Sequence, residues 1–589
     1  MKNKIIIIVL FLMFFTLVAC DNKTPSDDPG KNDGEITERP TRPHNHEYGE
    51  WVIKTPASLF KTGEKIQKCT KCEEEISEEF YYFDEVVFED TVYQYSGEEK
   101  QLLIKGLLPK GIRVEYKNNK RVNVGTVTAT ANYINEKNEI VKTDTAILKV
   151  TNYVGLPVIN IDTNNVPILN KEDYVASKIT VSNCDEEYAL NEVLAGVRLR
   201  GNGSLQAVKK PYRIKFESKQ NLLGLNDNLK AKSWVLLADY YDYSMLRNAS
   251  AFYLGSSLLD QNGYYSSSYQ HVNLYVNGIY NGVYLLAEQQ QADSSRVDIE
   301  EPEDDNSGTD IGYLLELDSY AVNEGDYFIL NINNLSVKDY NGNNVPLSSM
   351  SYAIKSDYFT ENQKNYIGKY VNNVFKIMHS AIVNKEYYAL DEYNDLILST
   401  YKNAYDTINN VINLDSMFRM YILHEIMKNV DVGFSSFYLF VDFSSESKYP
   451  RLTFGAPWDF DWSSGNANMA PYYSSTGKFN HANFDHLNPW LLTISNADFF
   501  DSMIKDYFEI FENSRVFEGL IYHLDEITST YAYDFGKNYA KWNTLGTQQH
   551  VYATSDVLNF KTQADAANYL KIWFTNRINY LKGIWGKEQ

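Results

Sequence analysis

The pattern of apolar and polar positions changes character several times along the 589-residue chain. Residues 5–19, IIIIVLFLMFFTLVA, are unbroken apolar. Residues 21–43, DNKTPSDDPGKNDGEITERPTRP, carry almost no large apolar side chain and cannot bury a core, which predicts a flexible tether. Over 86–152 apolar and polar residues alternate in short runs such as VVFEDTVYQYSG and DTAILKVTN, separated by Gly, Asn and Pro, the spacing of an all-β sandwich. From 155 to 345 strands and hairpins prevail, with one clear helix. There HVNLYVNGIYNGVYLLAE sets Asn277-Gly278 between two alternating runs, a strong hairpin signal. Over 360–430 and 495–586 the spacing becomes helical, as where Ile367, Val371, Val374 and Met378 share one face. A β-rich half followed by a helix-rich half predicts an α+β architecture with a cleft between.

The N-terminus changes the picture of location. A basic MKNK, the apolar run and the ending Leu17-Val18-Ala19-Cys20 resemble a bacterial lipoprotein signal over residues 1–20, and the run is short for a membrane span. The resemblance implies a chain lipidated at Cys20 and held by residues 21–43 at the extracellular face of a cell membrane. The remaining cysteines, Cys69, Cys72 and Cys184, are odd in number, which argues against a disulfide framework. Residues 44–84 place His44 and His46 before Cys69-x-x-Cys72, a donor set able to complete a structural zinc shell in a module too small to fold without a staple. A reduced or redox-active CxxC is the other reading. This segment resembles short His/Cys ribbon modules of bacterial surface lipoproteins. Residues 85–153, with the phrase NVGTVTATANY, resemble Ig-like repeats of bacterial surface proteins and read as a spacer. The net charge of −22, with no basic stripe, excludes a general nucleic-acid binder.

Candidate chemistry concentrates after residue 155. In FGAPWDFDWSSGN, residues 454–466, Asp459 and Asp461 lie one residue apart among aromatics. On a strand both carboxylates would face one side, and unpaired burial of two like charges is costly. In LRGNGSLQAVKKPYRIKFESK, Arg200, Gly201 and Gly203 form a donor-rich turn ahead of Lys209, Lys210 and Lys215, suited to an anion. A plain turn beside a basic edge strand fits equally. Asp239 and Asp242 follow an apolar strand; Asp242 or Ser244 could cap the next helix, whose first turns carry Arg247 and Asn248. Glu288 closes the strand GVYLLA. The helix NLDSMFRMYILHEIMKNVD ends in Asn429 and Asp431, a loop position suited to catalysis. His424 reads as a core or surface histidine, because it does not begin an HExxH zinc motif.

The order of RGNGS, KKPYRIKF, LLGL, WVLLADYYDYSMLRN, VNGIYNGVYLLAE, KNVD and PWDFDWSSGN resembles the spore-coat-protein-H (CotH) kinase family over roughly residues 155–480 and the helical remainder. The resemblance implies a multidomain chain: a small His/Cys ribbon, an all-β Ig-like sandwich, then over 154–589 a two-lobed α+β domain like an atypical protein kinase. It implies ATP and Mg²⁺ (or Mn²⁺) as cofactors, and transfer to Ser/Thr of surface or secreted proteins. By the same resemblance Arg200, Gly201 and Gly203 hold phosphates. Lys210, or else Lys215, contacts ATP, and Glu288 pairs with that lysine or borders the adenine. Asp431 deprotonates the acceptor hydroxyl, while Asp459 and Asp461 hold metal. Ser436 stands where the pattern places a metal-binding asparagine, with Asn466 a potential substitute. That departure keeps a second reading open, a non-catalytic pseudokinase acting as a surface adhesion or scaffold protein.

Overall fold

Alternation along the strands between residues 158 and 288 closes them into a barrel. The computed structural model describes residues 45–586 apart from 304, 324, 340, 470–472 and 479–486, so Cys20, His44, the signal-like run and the tether lie outside the described residues. Barrel order runs Val158–Asp162, Val175–Ser182, Leu190–Leu199, Tyr212–Gln220, Ala231–Leu237, Ile279–Glu288, Tyr269–Val276, and the last strand pairs in parallel with the first. All other neighbours are antiparallel. Asn277 and Gly278 both take positive φ, 50° and 74°, the geometry of the tight hairpin their sequence predicts. Side-chain parity explains how a barrel can also be part of a larger core. Trp234, Leu236, Tyr284 and Leu286 fill the barrel interior. Their neighbours Val235, Leu237, Val283, Leu285 and Ala287 face outward into the main core, against the helix Arg247–Leu258.

Beyond the barrel lies a five-stranded sheet, ordered Tyr327–Leu330, Met350–Ile354, Gly312–Leu317, Phe437–Asp442, Thr453–Phe454. The helix Glu361–His379 opens with a capping box between Thr360 and Gln363 and buries the expected stripe of Ile367, Val371, Val374 and Met378. The helix Leu414–Met427 is buried on nearly every side and stops at Lys428 in the left-handed region, φ 50°. Four further helices of six residues or more, from Phe500–Asn513 to Gln563–Trp585, complete the helix-rich half. The β-rich and helix-rich halves are thus as the patterning indicates, but the β-rich half is a closed barrel, which the alternation alone did not reveal.

Two boundaries move. Among the described residues, one compact unit holds 45–51 and 67–76, and the other holds 52–66 and 77–586. The segment 44–84 is therefore not one module. Within the larger unit Leu59 joins the main core, its carbonyl accepts from the Lys110 amide at 2.8 Å, and Phe60 packs edge-on to Tyr507. Residues 85–153 form a four-stranded sheet, ordered Thr91–Gln94, Ile140–Thr151, Gly125–Ile134, Arg113–Lys117, plus a two-stranded pair. They are not a detached spacer. Glu85 receives both terminal nitrogens of Arg419, at 2.9 and 3.2 Å, with both side chains buried. Buried Lys100 donates to Thr530 at 2.5 Å and pairs with Glu526. The Leu108 amide donates to Ser514 Oγ at 2.7 Å.

Breaking a buried pair from one side strands the other charge. Arg419→Met is expected to lower stability by about 3–5 kcal/mol, read as a fall in the denaturant midpoint of the whole chain. An unchanged midpoint would return the sheet to the status of a spacer.

Candidate active site

The chain from 455 to 466 is an irregular loop rather than a strand, so strand alternation does not explain its two aspartates. Asp459 lies in the left-handed region, φ 63°, as do Ser464 and Gly465. Backbone of this shape needs outside support, and neutral amides supply it. Asn429 Nδ2 donates to the Asp459 carbonyl at 2.9 Å, and the Phe460 amide donates to Asn248 Oδ1 at 2.7 Å. Asn466 Nδ2 donates to the carbonyls of Asp461 at 2.7 Å and Tyr241 at 2.9 Å. Arg247 donates to the carbonyls of Ser463 at 3.0 Å and Ser464 at 3.2 Å. The aromatics fix the loop from behind. Trp458 packs on Phe252, Phe460 stacks on His424, and Trp462 stacks on Tyr241.

Four carboxylates share one electrostatic environment. Burial pushes Asp461 well above the usual carboxylate range, with Asp459, Asp239 and Asp431 adding like-charge repulsion. Asp431 rises to about 7 through burial and the neighbouring Asp459. Asp459 is also raised by burial, against the pull of the Arg200 guanidinium and a hydrogen bond from Ser436. The residue is nonetheless exposed to solvent. Asp239, φ 45°, is raised by burial and by Asp242. One of its oxygens accepts from Asn248 at 2.8 Å, while Oδ2 is buried without a hydrogen-bond partner. Asp242, in contrast, is satisfied. It is ion-paired to Arg247 and accepts from the amides of Ser244, Leu246 and Arg247 at 2.8–3.0 Å.

Two cations border the cluster. Arg200 lies over the Trp458 ring at 5.5 Å and acts on Asp459. Lys209 is buried, donates to the carbonyls of Ala238 and Val283, and feels Asp239; burial holds its ammonium below the usual lysine range. An orphaned Asp239 oxygen beside carboxyls that repel one another fits a divalent cation with hard oxygen ligands. No three of these carboxylates bring donor atoms within 4.8 Å of one another. That fits Mg²⁺, which takes one or two carboxylates and completes its shell with phosphate and water.

Several expected residues are placed elsewhere. Lys210 donates to the Leu205 carbonyl at 2.6 Å, and Lys215 is exposed because Tyr212, Ile214 and Phe216 take the inward parity of their strand. The lysine that acts electrostatically on the cluster, through Asp239, is Lys209. Glu288 pairs with Arg296 at 3.1 Å and accepts from Asn226 at 2.9 Å, so its partner is an arginine and not a lysine of the cluster. Gly201, φ 89°, is required by the turn, since a Cβ there would lie 2.2 Å from Ser204 Oγ; Gly203 meets no such obstacle. Asn466 is committed to bracing the loop. Ser436, φ 62°, stands 3.4 Å from Asp459 Oδ2. His424 is a core histidine, with neither ring nitrogen hydrogen-bonded. Asp239 joins the site without having been assigned to it; its one signal is an aspartate ending the apolar run WVLLA. Arg247 and Asn248 carry the loop contacts that their position in an otherwise apolar helix hinted at.

A family model described as CotH kinase protein matches residues 197–581. No curated protein matches the chain. The chain belongs to the CotH kinase protein family.

Because the folded Asp461 carboxyl titrates above its ordinary 3.8, ionising it opposes folding as pH rises past that value. Asp461→Asn is expected to raise the melting temperature at pH 8 by roughly 2–4 °C per kcal/mol relieved, with the gain shrinking towards pH 4. Melting curves at several pH values check this, and a gain independent of pH would contradict it.

Proposed function

We propose that this CotH kinase family member is an ATP- and Mg²⁺-dependent (or Mn²⁺-dependent) protein kinase that phosphorylates Ser or Thr of surface or secreted proteins, tethered to the outer face of the membrane through lipid on Cys20. The observation that carries the catalytic part is the cluster of Asp239, Asp431, Asp459 and Asp461, each raised first by burial and all but Asp459 also by a neighbouring carboxylate, beside Arg200 and Lys209. The lipoprotein-like ending LVAC supports the location.

Phosphoryl transfer asks a protein for positioning and charge compensation more than for covalent chemistry. Asp459 and Asp461 would hold the divalent cation, with Asp239 Oδ2 behind them. When bound, the cation offsets the charge on the phosphates. Arg200 and the Gly201 turn supply positive charge and close backbone approach for phosphate oxygens. Lys209 takes the part expected of Lys210 or Lys215. Asp431 holds the acceptor hydroxyl: the hydroxyl proton passes to its carboxylate, the oxygen bonds the γ-phosphorus, and the bond to the β-phosphate oxygen breaks, releasing ADP. A carboxyl near 7 is matched to proton transfer at neutral pH.

Ser436 favours a second reading, nucleotide binding without transfer, as in a surface scaffold. A hydroxyl 3.4 Å from Asp459 is a weaker ligand than an amide oxygen.

Purified chain incubated with γ-labelled ATP, Mg²⁺ or Mn²⁺ and surface extract is expected to transfer label. Asp431→Ala and Asp459→Ala should lose about 10²-fold or more of the rate. The wild-type rate should climb with pH, as Asp431 deprotonates, and level off at or above neutrality; Asp431→Asn should show no such limb. A nucleotide-induced thermal shift without labelling would select the scaffold reading, and neither shift nor label would end the kinase reading.

A further inference from the structure

Residues 45–51 and 67–76 form a small compact unit with almost no apolar core, and its residues 67–68 and 75–76 are the ends of the strands Gly63–Lys68 and Glu75–Phe80. Cys69 is its one buried residue among those described. Backbone bonds hold the two segments together, from Gly49 to Lys68 at 3.0 Å and from Thr70 to Glu47 at 2.8 Å, and another closes the turn within the second, from Cys69 to Glu74 at 2.8 Å. A handful of solvent-exposed hydrogen bonds does not offset the chain entropy of ordering such a segment.

What the unit does contain is a donor cluster. His46, Cys69 and Cys72 present ligand atoms all within 4.8 Å of one another, the one such trio of His, Cys, Asp or Glu among the described residues. None of the described cysteines is in a disulfide. The surroundings are those of a ligating set. His46 Nδ1 lies 3.5 Å from Cys72 Sγ, while Nε2 on the far side of the ring contacts the Glu74 carboxylate at 2.8 Å. A proton on Nε2 leaves the Nδ1 lone pair facing the thiols, the arrangement by which a carboxylate orients a metal-bound histidine. Tyr48 OH donates to the other Glu74 oxygen at 2.8 Å and its ring stacks on His46, so the carboxylate is itself held. The Lys71 amide donates to Cys69 Sγ at 3.4 Å, a contact that stabilises a thiolate at the head of a Cys-x-x-Cys turn.

We infer that His46, Cys69 and Cys72 bind one zinc ion, which is the staple that folds this unit, with Glu74 as the positioning residue for His46. Two thiolates and an imidazole suit zinc, and a fourth ligand completes the tetrahedron. The inference stands apart from the kinase reading and uses none of its residues.

The test uses the full chain purified under reducing conditions. Elemental analysis should find about one zinc per chain, and Cys72→Ser should lose it. Since the variant could misfold for other reasons, Co²⁺ replacing zinc in the wild type gives an independent readout: an intense sulfur-to-cobalt charge-transfer band with tetrahedral ligand-field bands. In competition with a chromophoric chelator, Glu74→Gln should weaken zinc binding by about 10–100-fold. Absence of stoichiometric zinc, a cobalt spectrum without the sulfur band, or zinc retained at full affinity in Cys72→Ser would each overturn the site. Unaltered affinity in Glu74→Gln would overturn the role of Glu74.

Discussion

Repulsion among Asp239, Asp431, Asp459 and Asp461 is the constraint around which the larger unit is organised. Each of these carboxyls is lifted first by burial, and like charges near a protein surface add repulsion of about 4 kcal/mol at ~4 Å, less at longer range. A chain left to minimise its own free energy would move them apart. They stay together because the segments that carry them arrive from separate rigid elements: a barrel strand ending before Asp239, a buried helix ending before Asp431, and a loop pinned at many points around Asp459 and Asp461. On the proposed kinase reading, a cation and phosphate entering the cluster would relieve that repulsion.

The supports are neutral where they touch the cluster and charged only where the charge is already cancelled. Asn248, Asn429 and Asn466 brace the loop through amide groups that carry no net charge. The one arginine in the brace, Arg247, is neutralised by Asp242, so it grips the Ser463 and Ser464 carbonyls without drawing the reactive carboxylates towards itself. Backbone strain falls at the same place. Asp239, Ser436 and Asp459 all take positive φ, a conformation costing about 1–3 kcal/mol where a side chain is present and easiest for Asp. Positive φ also occurs at many positions away from the cluster, so it is the coincidence of three such residues with the acidic groups that distinguishes this place.

Much of this was legible in the sequence, unevenly and for physical reasons. The helical stripe of Ile367, Val371, Val374 and Met378 is where the pattern placed it, because a 3.6-residue period leaves a strong local mark; the two aspartates of PWDFD drew notice as like charges among aromatics, but they lie on an irregular loop and not on the strand that alternation suggested. The wrong lysine was favoured because KKPYR leaves Lys209 and Lys210 as neighbours, and only the packing of the Tyr284 ring and the Ala238 and Val283 carbonyls around one ammonium distinguishes them. Glu288 could be read as closing an apolar strand, but its partner Arg296 comes from a loop whose return path no local pattern encodes. Barrel closure is likewise a non-local property, requiring the parallel pairing of Val158–Asp162 with Tyr269–Val276 across more than a hundred residues.

The helix Leu414–Met427 shows why the β-sheet before the barrel and the helices at the end of the chain cannot be treated as appendages. Along its length Arg419 holds Glu85, and Glu425 receives Arg577 of the helix Gln563–Trp585 in a fully buried pair at 2.6 Å. One turn beyond, Lys428 halts the helix and Asn429 reaches the Asp459 carbonyl, with Asp431 next in the same loop. A single rigid rod therefore joins the preceding sheet, the C-terminal helix and the acidic loop. Buried ion pairs contribute little net stability but fix geometry strictly, since a shifted partner leaves a charge unpaired. Their placement on this helix ties the position of Asp431 relative to Asp459 to parts of the chain with no chemistry of their own.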